Sequence, residues 1–296
     1  MAKAFALYNP IAGHGQKDET ISKLKEVTTD ELVLLDMTAE DTYDRLFAEL
    51  GSDDKIIICG GDGTLNRFIN RTADMSIEND ILYFPSGSGN DFARELGKDR
   101  YAAPFSIKKY LKDLPTVEVD GKSSLFLNGM GYGIDGYCCE IGDIQRAASD
   151  KPVNYTSIAI KGLLFHYKPT NARVTVDGKE YSFKKVWLAP TMKGKYYGGG
   201  MMPTPAQDRS AEDGKLSVMI FHGSSALKTL IIFPSLFKGE HVKHSKHVTV
   251  IEGYDISVEF DSPRAAQIDG ETVLGTKGYR ARSARLVKTE ATAEVK

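Results

Sequence analysis

A parallel α/β unit followed by a mostly antiparallel β unit is the fold class this sequence predicts. Three observations predict it. Strand and helix signals alternate through about residue 118. Short β runs separated by turns take over from Val117 onward. The chain has 296 residues, 41% of them hydrophobic, enough for one large core or two of ordinary size.

The elements of the first part follow in order. Lys3 to Tyr8 reads as a buried strand, and Asp18 to Thr28 carries Ile21, Leu24 and Val27 at helical spacing. Glu31 to Asp36 is a second strand. Thr42 to Leu50 is a helix with Leu46, Phe47 and Leu50 on one side. Lys55 to Cys59 is apolar with little alternation, as a strand covered on both faces would be. Thr64 to Arg71 begins a helix and Ile81 to Phe84 is a fourth strand. Such alternation predicts a parallel sheet with crossover helices.

In the second part, β runs are expected at Val117 to Val119, Ser124 to Leu127, Arg173 to Val176 and Tyr181 to Leu188. Others follow at Lys215 to Phe221, His247 to Ile251 and Asp255 to Phe260. Asp177-Gly178 between two alternating runs predicts a hairpin. Tyr155 to Phe165 is the one helical stretch, and Ala291 to Lys296 is expected to fray. The whole reads as an antiparallel β-sandwich.

Composition excludes several classes. A net charge of −2 with 26% charged residues is neither disordered nor strongly nucleic-acid-binding. Cys59, Cys138 and Cys139 have no metal-ligand spacing and read as free thiols of a reducing cytoplasm. The N-terminal residues are too poor in apolar content for a signal peptide. No apolar run approaches the roughly 18 residues of a membrane span.

Three loops carry the chemistry. Gly60-Gly61-Asp62-Gly63-Thr64 follows the third strand and opens a helix, so its backbone can turn sharply and approach a phosphate. Pro85-Ser86-Gly87-Ser88-Gly89-Asn90-Asp91-Phe92-Ala93-Arg94 follows the fourth strand. Asn9-Pro10 to Gly13-His14-Gly15 follows the first. In a parallel sheet all three emerge at the carboxyl edge, where such sheets bind ligands. No Gly-x-x-x-x-Gly-Lys-Ser/Thr run occurs, which excludes a P-loop.

Gly60 to Thr64 with Asn66, and Pro85 to Arg94 downstream, resemble the catalytic domain of the diacylglycerol kinase family. Its soluble bacterial lipid kinases share the Asn9-Pro10 opening. Gly198-Gly199-Gly200-Met201, Pro205-Ala206 and Asp213-Gly214-Lys215-Leu216 resemble a family segment of that order. Gln267-Ile268-Asp269-Gly270-Glu271 resembles the family's catalytic Asp-Gly-Glu.

The resemblance implies a Rossmann-like nucleotide-binding domain over residues 1–118, with a C-terminal return at about 280–296. It implies a β-sandwich lipid-substrate domain over 119–279. The implied reaction moves the ATP γ-phosphoryl group to a lipid hydroxyl, foremost diacylglycerol to phosphatidic acid, with Mg²⁺. The implied nucleotide contacts are Asn9, Pro10, Ile11, Ala12, Gly13, Thr38, Gly60, Gly61, Asp62, Gly63, Thr64, Leu65, Asn66, Ser88, Asn90 and Asp91. Asp213 would hold a structural Mg²⁺ through its side chain, helped by the carbonyls of Ser210 and Lys215. Asp269 would be the general base and Glu271 its partner. A lipid alcohol at the membrane surface is the implied partner. The enzyme would be cytoplasmic and peripheral to the inner face of the membrane. No residue pattern sets an oligomeric state.

Other patterns have plainer readings. Gly131-Tyr132-Gly133-Ile134-Asp135-Gly136 matches a dinucleotide fingerprint but opens the β-rich half, so a packing turn between the domains is favoured. His241, His244 and His247 lie among lysines, which favours a solvated basic segment, or one touching anionic lipid, over a zinc site. Tyr155, Ile158, Leu163, Leu164 and Phe165 read as core, or as acyl-chain contacts if exposed. Two rivals stay open. An NAD kinase-like enzyme shares the Gly-Gly-Asp-Gly-Thr loop, and a non-catalytic nucleotide sensor needs no base.

Overall fold

Strand and helix alternate through the first part because β-branched runs and amphipathic stretches alternate in the sequence. The computed structural model describes residues 2–10, 17–149 and 153–294. The chain divides into two compact units, Met1–Lys112 and Asp113–Lys296.

The first unit runs β1 (Lys3–Tyr8), α1 (Lys17–Val27), β2 (Glu31–Asp36), α2 (Thr42–Glu49), β3 (Lys55–Gly60), α3 (Asp62–Arg71), β4 (Asp80–Pro85), α4 (Asp91–Glu95) and β5 (Phe105–Ser106). The sheet order is β2-β1-β3-β4-β5. The first four strands are parallel, and β5 closes the edge antiparallel to β4. The β3 run Ile56-Ile57-Ile58 is fully buried, because the strand lies mid-sheet. Ala4 and Ala6 on β1 are small enough for Leu24 of α1 to share a core with Ile57 and Phe84. On α3 the buried residues Leu65, Phe68 and Ile69 form one stripe. The chain leaves β1 to one side for β2 and returns on the other for β3. That reversal is the point in such sheets where strand ends open a crevice.

The second unit begins with β6 (Thr116–Val119), β7 (Lys122–Leu125), β8 (Gly129–Tyr132), α5 (Ile134–Ala148) and α6 (Tyr155–Lys161), which continues into a π turn at Gly162–His166. Then come β9 (Thr170–Val176), β10 (Lys179–Val186), β11 (Thr191–Met192), β12 (Leu216–Phe221) and α7 (Ala226–Ile232). Two 3-10 turns, Phe233–Lys238 and Glu240–Lys243, lead to β13 (Val248–Gly253), β14 (Asp255–Ile268), β15 (Glu271–Arg282) and α8 (Ala284–Glu294). The strands form one antiparallel network, β13-β12-β11-β8-β14-β15-β6-β7, with β10-β9 branching from β14. Val117, Val174, Ile220, Val258 and Ala281 from five of these strands meet in one core.

β14 makes the branch possible. Its first half, Ile256 to Phe260, pairs with β9, and its second half, Ala266 to Ile268, pairs with β8. Register shifts between Glu259, Arg264 and Ala266 separate the halves. A bulged strand bends, and Pro263 is tolerated at such a break.

Two expectations about domain limits need correction. β6 pairs with β15 and β7, so the division falls at Lys112 rather than at 118. The C-terminal segment, expected to return to the first domain, supplies β15 and α8 to the second unit. Strands at Asp255 and beyond are longer than expected, and α5 and α7 were not anticipated. Asp177-Gly178 does make the β9–β10 hairpin, with φ of 48° and 81°.

Candidate functional site

The first group of candidate residues lies along the carboxyl edge of β1 to β4. Thr38 follows β2, Asn9 and Pro10 follow β1, Gly60 to Gly63 end β3 and open α3, and Ser86 to Asp91 follow β4. Ile11, Ala12 and Gly13, with His14 and Gly15, lie outside the described residues.

Two loops are locked together here. The Gly60 carbonyl accepts the Ser86 and Gly87 amides at 3.0 and 3.1 Å, and the Tyr83 hydroxyl at 3.1 Å. Gly61 and Gly87 meet face to face: a Cβ on Gly61 would lie 3.3 Å from Gly87 Cα, and one on Gly87 would collide with the Gly61 backbone. Glycine at both positions is what allows the loops to touch. Asn90 takes the left-handed conformation at φ 50° and donates to the Gly87 carbonyl at 2.7 Å, shaping the second loop.

Asp62 has a positional role. Its carboxylate accepts the Asp91 amide at 2.8 Å and the Phe92 amide at 3.0 Å, so it caps α4 from the neighbouring loop. Thr64 is buried with its side chain under Gly60, and Leu65 is wholly in the core. Asn66 is buried and accepts the Asn70 side-chain amide. Only backbone groups of Thr64 and Leu65 are therefore left to face a ligand. Ser88 is exposed. Thr38 is exposed and bound to the Asp36 carboxylate through amide and hydroxyl at 2.8 and 2.6 Å.

Two cations at this edge escaped sequence reasoning. Lys17 places its ammonium 5.0 Å from the centre of the Tyr8 ring, at the end of β1. Arg100 donates to the Ser86 carbonyl at 3.0 Å from fourteen residues downstream. Neither belongs to a glycine motif. Their only signal is positive charge within reach of a strand end.

The second group centres on the β14–β15 turn. Three Asp-Gly turns in this unit share left-handed geometry, at Asp120, Asp177 and Asp269. Asp120 and Asp177 are exposed, whereas Asp269 is buried. Its carboxylate accepts the amides of Leu127 at 2.6 Å, Asn128 at 2.8 Å and Gly129 at 3.0 Å. The carboxylate of Asp269, expected as the general base, accepts from the chain entering β8. Three amide donors take up most of its acceptor capacity. Glu271, two residues on, is exposed.

The 127–129 segment is held from its other side as well. The Asn128 side-chain oxygen accepts Arg209 at 2.8 Å, and the Asn128 carbonyl accepts the Lys193 and Gly194 amides, both at 2.9 Å. Buried Arg209 and Asn128 are functional candidates that no motif marked. Gly198, Gly199 and Gly200 turn with positive φ between Tyr197 and Met201, which bond to each other through their backbones.

Asp135 lies beside this turn. It is buried in the first turn of α5, and burial raises its carboxyl to about 6, against weaker opposing hydrogen bonds from the Gly136 amide, Gln267 and Tyr197. Gln267 in turn accepts the Gly270 amide at 2.7 Å. This cluster explains the Gly-x-Gly-x-x-Gly run without a nucleotide. A side chain at Gly131 would displace the Asp135 carboxylate, Gly133 starts α5 at φ 119°, and Gly136 rests on the Ala265 backbone. The run is a strand-to-helix entry inside the second unit, not a turn between domains.

The donors expected to hold Mg²⁺ are arranged for other partners. The Asp213 carboxylate pairs with the Lys215 ammonium at 3.4 Å and accepts the Lys215 amide at 3.2 Å. The Lys215 carbonyl accepts the Gln207 side chain at 3.1 Å, and the Asp213 carbonyl accepts Arg285 at 3.4 Å. Ser210 donates its amide to Asp208. A divalent ion held by the Asp213 carboxylate would have to displace the exposed Lys215 ammonium. His241 is buried, with a ring nitrogen 2.8 Å from the Pro203 carbonyl, so the expected solvated segment is anchored at its first histidine.

Comparison with known proteins agrees with the fold of the two units. Residues 3–118 match the model of the diacylglycerol kinase catalytic domain, and residues 129–284 match that of the YegS C-terminal NAD kinase beta sandwich-like domain. A diacylglycerol kinase of Mycobacterium tuberculosis is 29% identical over 255 residues, covering 82% of this chain and 81% of that protein. A Staphylococcus aureus relative carrying a provisional lipid-kinase name is 27% identical over 234 residues, covering 75% of this chain and 72% of that one. A crystal structure of a diacylglycerol kinase from Bacillus anthracis has a TM-score of 0.58 at 20% identity, covering 95% of this chain and 93% of that one. That likeness shows the fold. With one domain model matched along the parallel unit and the other along more than half of the chain, this protein belongs to the diacylglycerol kinase family.

Proposed function

We propose that the protein is a kinase that transfers the γ-phosphoryl group of ATP to a lipid hydroxyl, foremost that of diacylglycerol, to give phosphatidic acid. The observation that carries this reading is the pair of interlocked glycine loops at the carboxyl edge of the first sheet. Gly61 and Gly87 leave backbone where side chains would otherwise stand, at the start of α3. Such an edge suits a phosphate chain, through amide donors and the helix dipole. Lys17 and Arg100 add positive charge there. Mg²⁺ arriving with the nucleotide would neutralise phosphate charge.

The lipid hydroxyl must lose a proton as it attacks. We assign that role to Glu271, which is exposed on the β14–β15 turn. Asp269 supports that turn by binding three amides of the 127–129 segment. This reverses the order of the two acids expected from the family pattern.

The test is a phosphorylation assay with labelled ATP across diacylglycerol, a sphingoid base, other lipid alcohols and NAD. Labelled phosphatidic acid supports the proposal. Labelling of another lipid alone changes the substrate, and labelling of NAD alone replaces the lipid reading. ATP binding without transfer to any of them points to a nucleotide sensor.

A further inference from the structure

One face of the second unit is used by neither group of site residues. Segment 153–170 carries α6 and the π turn, and segment 224–249 carries α7 and the two 3-10 turns. Together they hold six lysines and one glutamate, in a chain whose net charge is −2. The glutamate, Glu240, is already paired with Lys243 at 3.2 Å. The two segments share one core, to which Leu163 and Tyr167 contribute from the first and Ile232 and Leu236 from the second.

Four large apolar side chains of these segments are exposed instead. Phe165 is 73% exposed, Ile231 65%, Leu227 63% and Phe237 48%. The core already has its own residues, so these four are surplus to it. Each of Leu227 and Phe237 has a lysine as its next residue, Lys228 and Lys238. Large apolar side chains gathered on one surface mark an interaction site. A π turn inside a helix is also a frequent mark of function.

Charge decides what covers it. A second copy of the chain meeting the same face would bring lysine against lysine, since a two-fold contact pairs like with like. An anionic bilayer matches both features. Apolar tips enter the boundary between headgroups and acyl chains, and lysine stems lie along it with their ammonium groups on lipid phosphates. We propose that this face docks the protein on anionic membranes, with Phe165, Leu227, Ile231 and Phe237 inserted and the surrounding lysines on the headgroups. The inference deepens the lipid-kinase reading by naming the surface that would meet the membrane, and its test uses no turnover.

The test is sedimentation of the full chain, without ATP, with vesicles of phosphatidylcholine alone or mixed with phosphatidylglycerol. The expected result is binding at least about tenfold stronger to the anionic vesicles, weakening as salt rises. Phe165→Ser with Ile231→Ser should lower that binding by about tenfold or more. Lys228→Glu with Lys238→Glu should lower it similarly and flatten the salt dependence. All four side chains are outside the core, so thermal unfolding should be unchanged and confirms folding of each variant. The proposal is overturned by equal binding to both vesicle types, or by wild-type binding in the serine variant. A wild-type dimer that the serine pair converts to monomer would overturn it too, by assigning the face to a second copy. Vesicle binding without any lipid phosphorylation would end the lipid-kinase reading and leave the docking face standing.

Discussion

Replacing Asp269 by asparagine separates support from chemistry at a single residue. Asn-Gly keeps the turn, but the amide group presents one acceptor where the carboxylate presents two, against three backbone donors. Asp269→Asn should therefore lose about 2 kcal/mol of stability in denaturant unfolding. Glu271→Gln should stay within about 0.5 kcal/mol of wild type and lose turnover by roughly 10² or more. An Asp269→Asn protein of undiminished stability but lost turnover would restore Asp269 as the base. Asp135 gives a second residue-scale prediction. Its folded value of about 6 lies above the 3.8 of the unfolded chain, so the native state holds the proton more firmly. That contribution is complete below about pH 4 and is lost as pH rises through about 6, a change of about 3 kcal/mol. Unfolding curves for wild type and Asp135→Asn should diverge over that window, the asparagine variant gaining relative stability toward neutral pH. A constant difference across the window would show that Asp135 does not titrate there. The sequence marks Asp269 as a turn residue because Asp-Gly carries that chemistry locally. Turn chemistry alone does not separate it from Asp120 or Asp177, which only the Gln267 to Glu271 resemblance does, because burial of Asp269 depends on a segment some 140 residues away. Arg209 and Asn128 are silent for the same reason.

At the scale of elements, the two glycine loops act as one part. Gly87→Ala would force the Gly61 backbone away, since its two nearest contacts are backbone atoms of Gly61 and the third is the Asn90 side chain. ATP affinity measured by calorimetry should fall at least about tenfold, with the fold retained. Unchanged affinity would remove the nucleotide from this edge. The Asp213 loop makes the opposite prediction about a metal. Lys215 and Arg285 already serve it, so chelation with EDTA should leave the thermal midpoint unchanged and added Mg²⁺ should not raise it. A midpoint that falls with EDTA and recovers with Mg²⁺ would place an ion there after all. Four strands and the helices of the first unit were readable from apolar runs and stripes, whereas the two-residue β5 was too short to read. The α5 helix was hidden because its opening glycines imitate a loop motif. The length of β14 was hidden because its break at Pro263 looks like an end.

For the molecule as a whole, no helix among the described residues is long and apolar enough to cross a bilayer. A scarcity of acidic residues, one across segments 153–170 and 224–249 against 40 in the chain, is what sets one face of the second unit apart. Strand order in that unit has a further consequence, for synthesis. Without the β14–β15 hairpin the paired strands fall into three groups, β6 with β7, β8 with β11 to β13, and β9 with β10, the last two linked by isolated bridges of Leu188 to Gly133 and Phe221. Among paired strands, β14 alone joins β8 to β9, and β15 alone joins β6. As the chain emerges from the ribosome, the first unit has all its strands by residue 112, whereas the second has no continuous sheet until Arg282 has been made. Nascent chains arrested before Asp255 should carry a protease-resistant first unit and a protease-sensitive remainder. Resistance should spread to the remainder only when the arrest point passes the hairpin and the exit tunnel. The last hairpin to be translated therefore sets the moment at which the Asp269 clamp, and with it the candidate base, first comes into being.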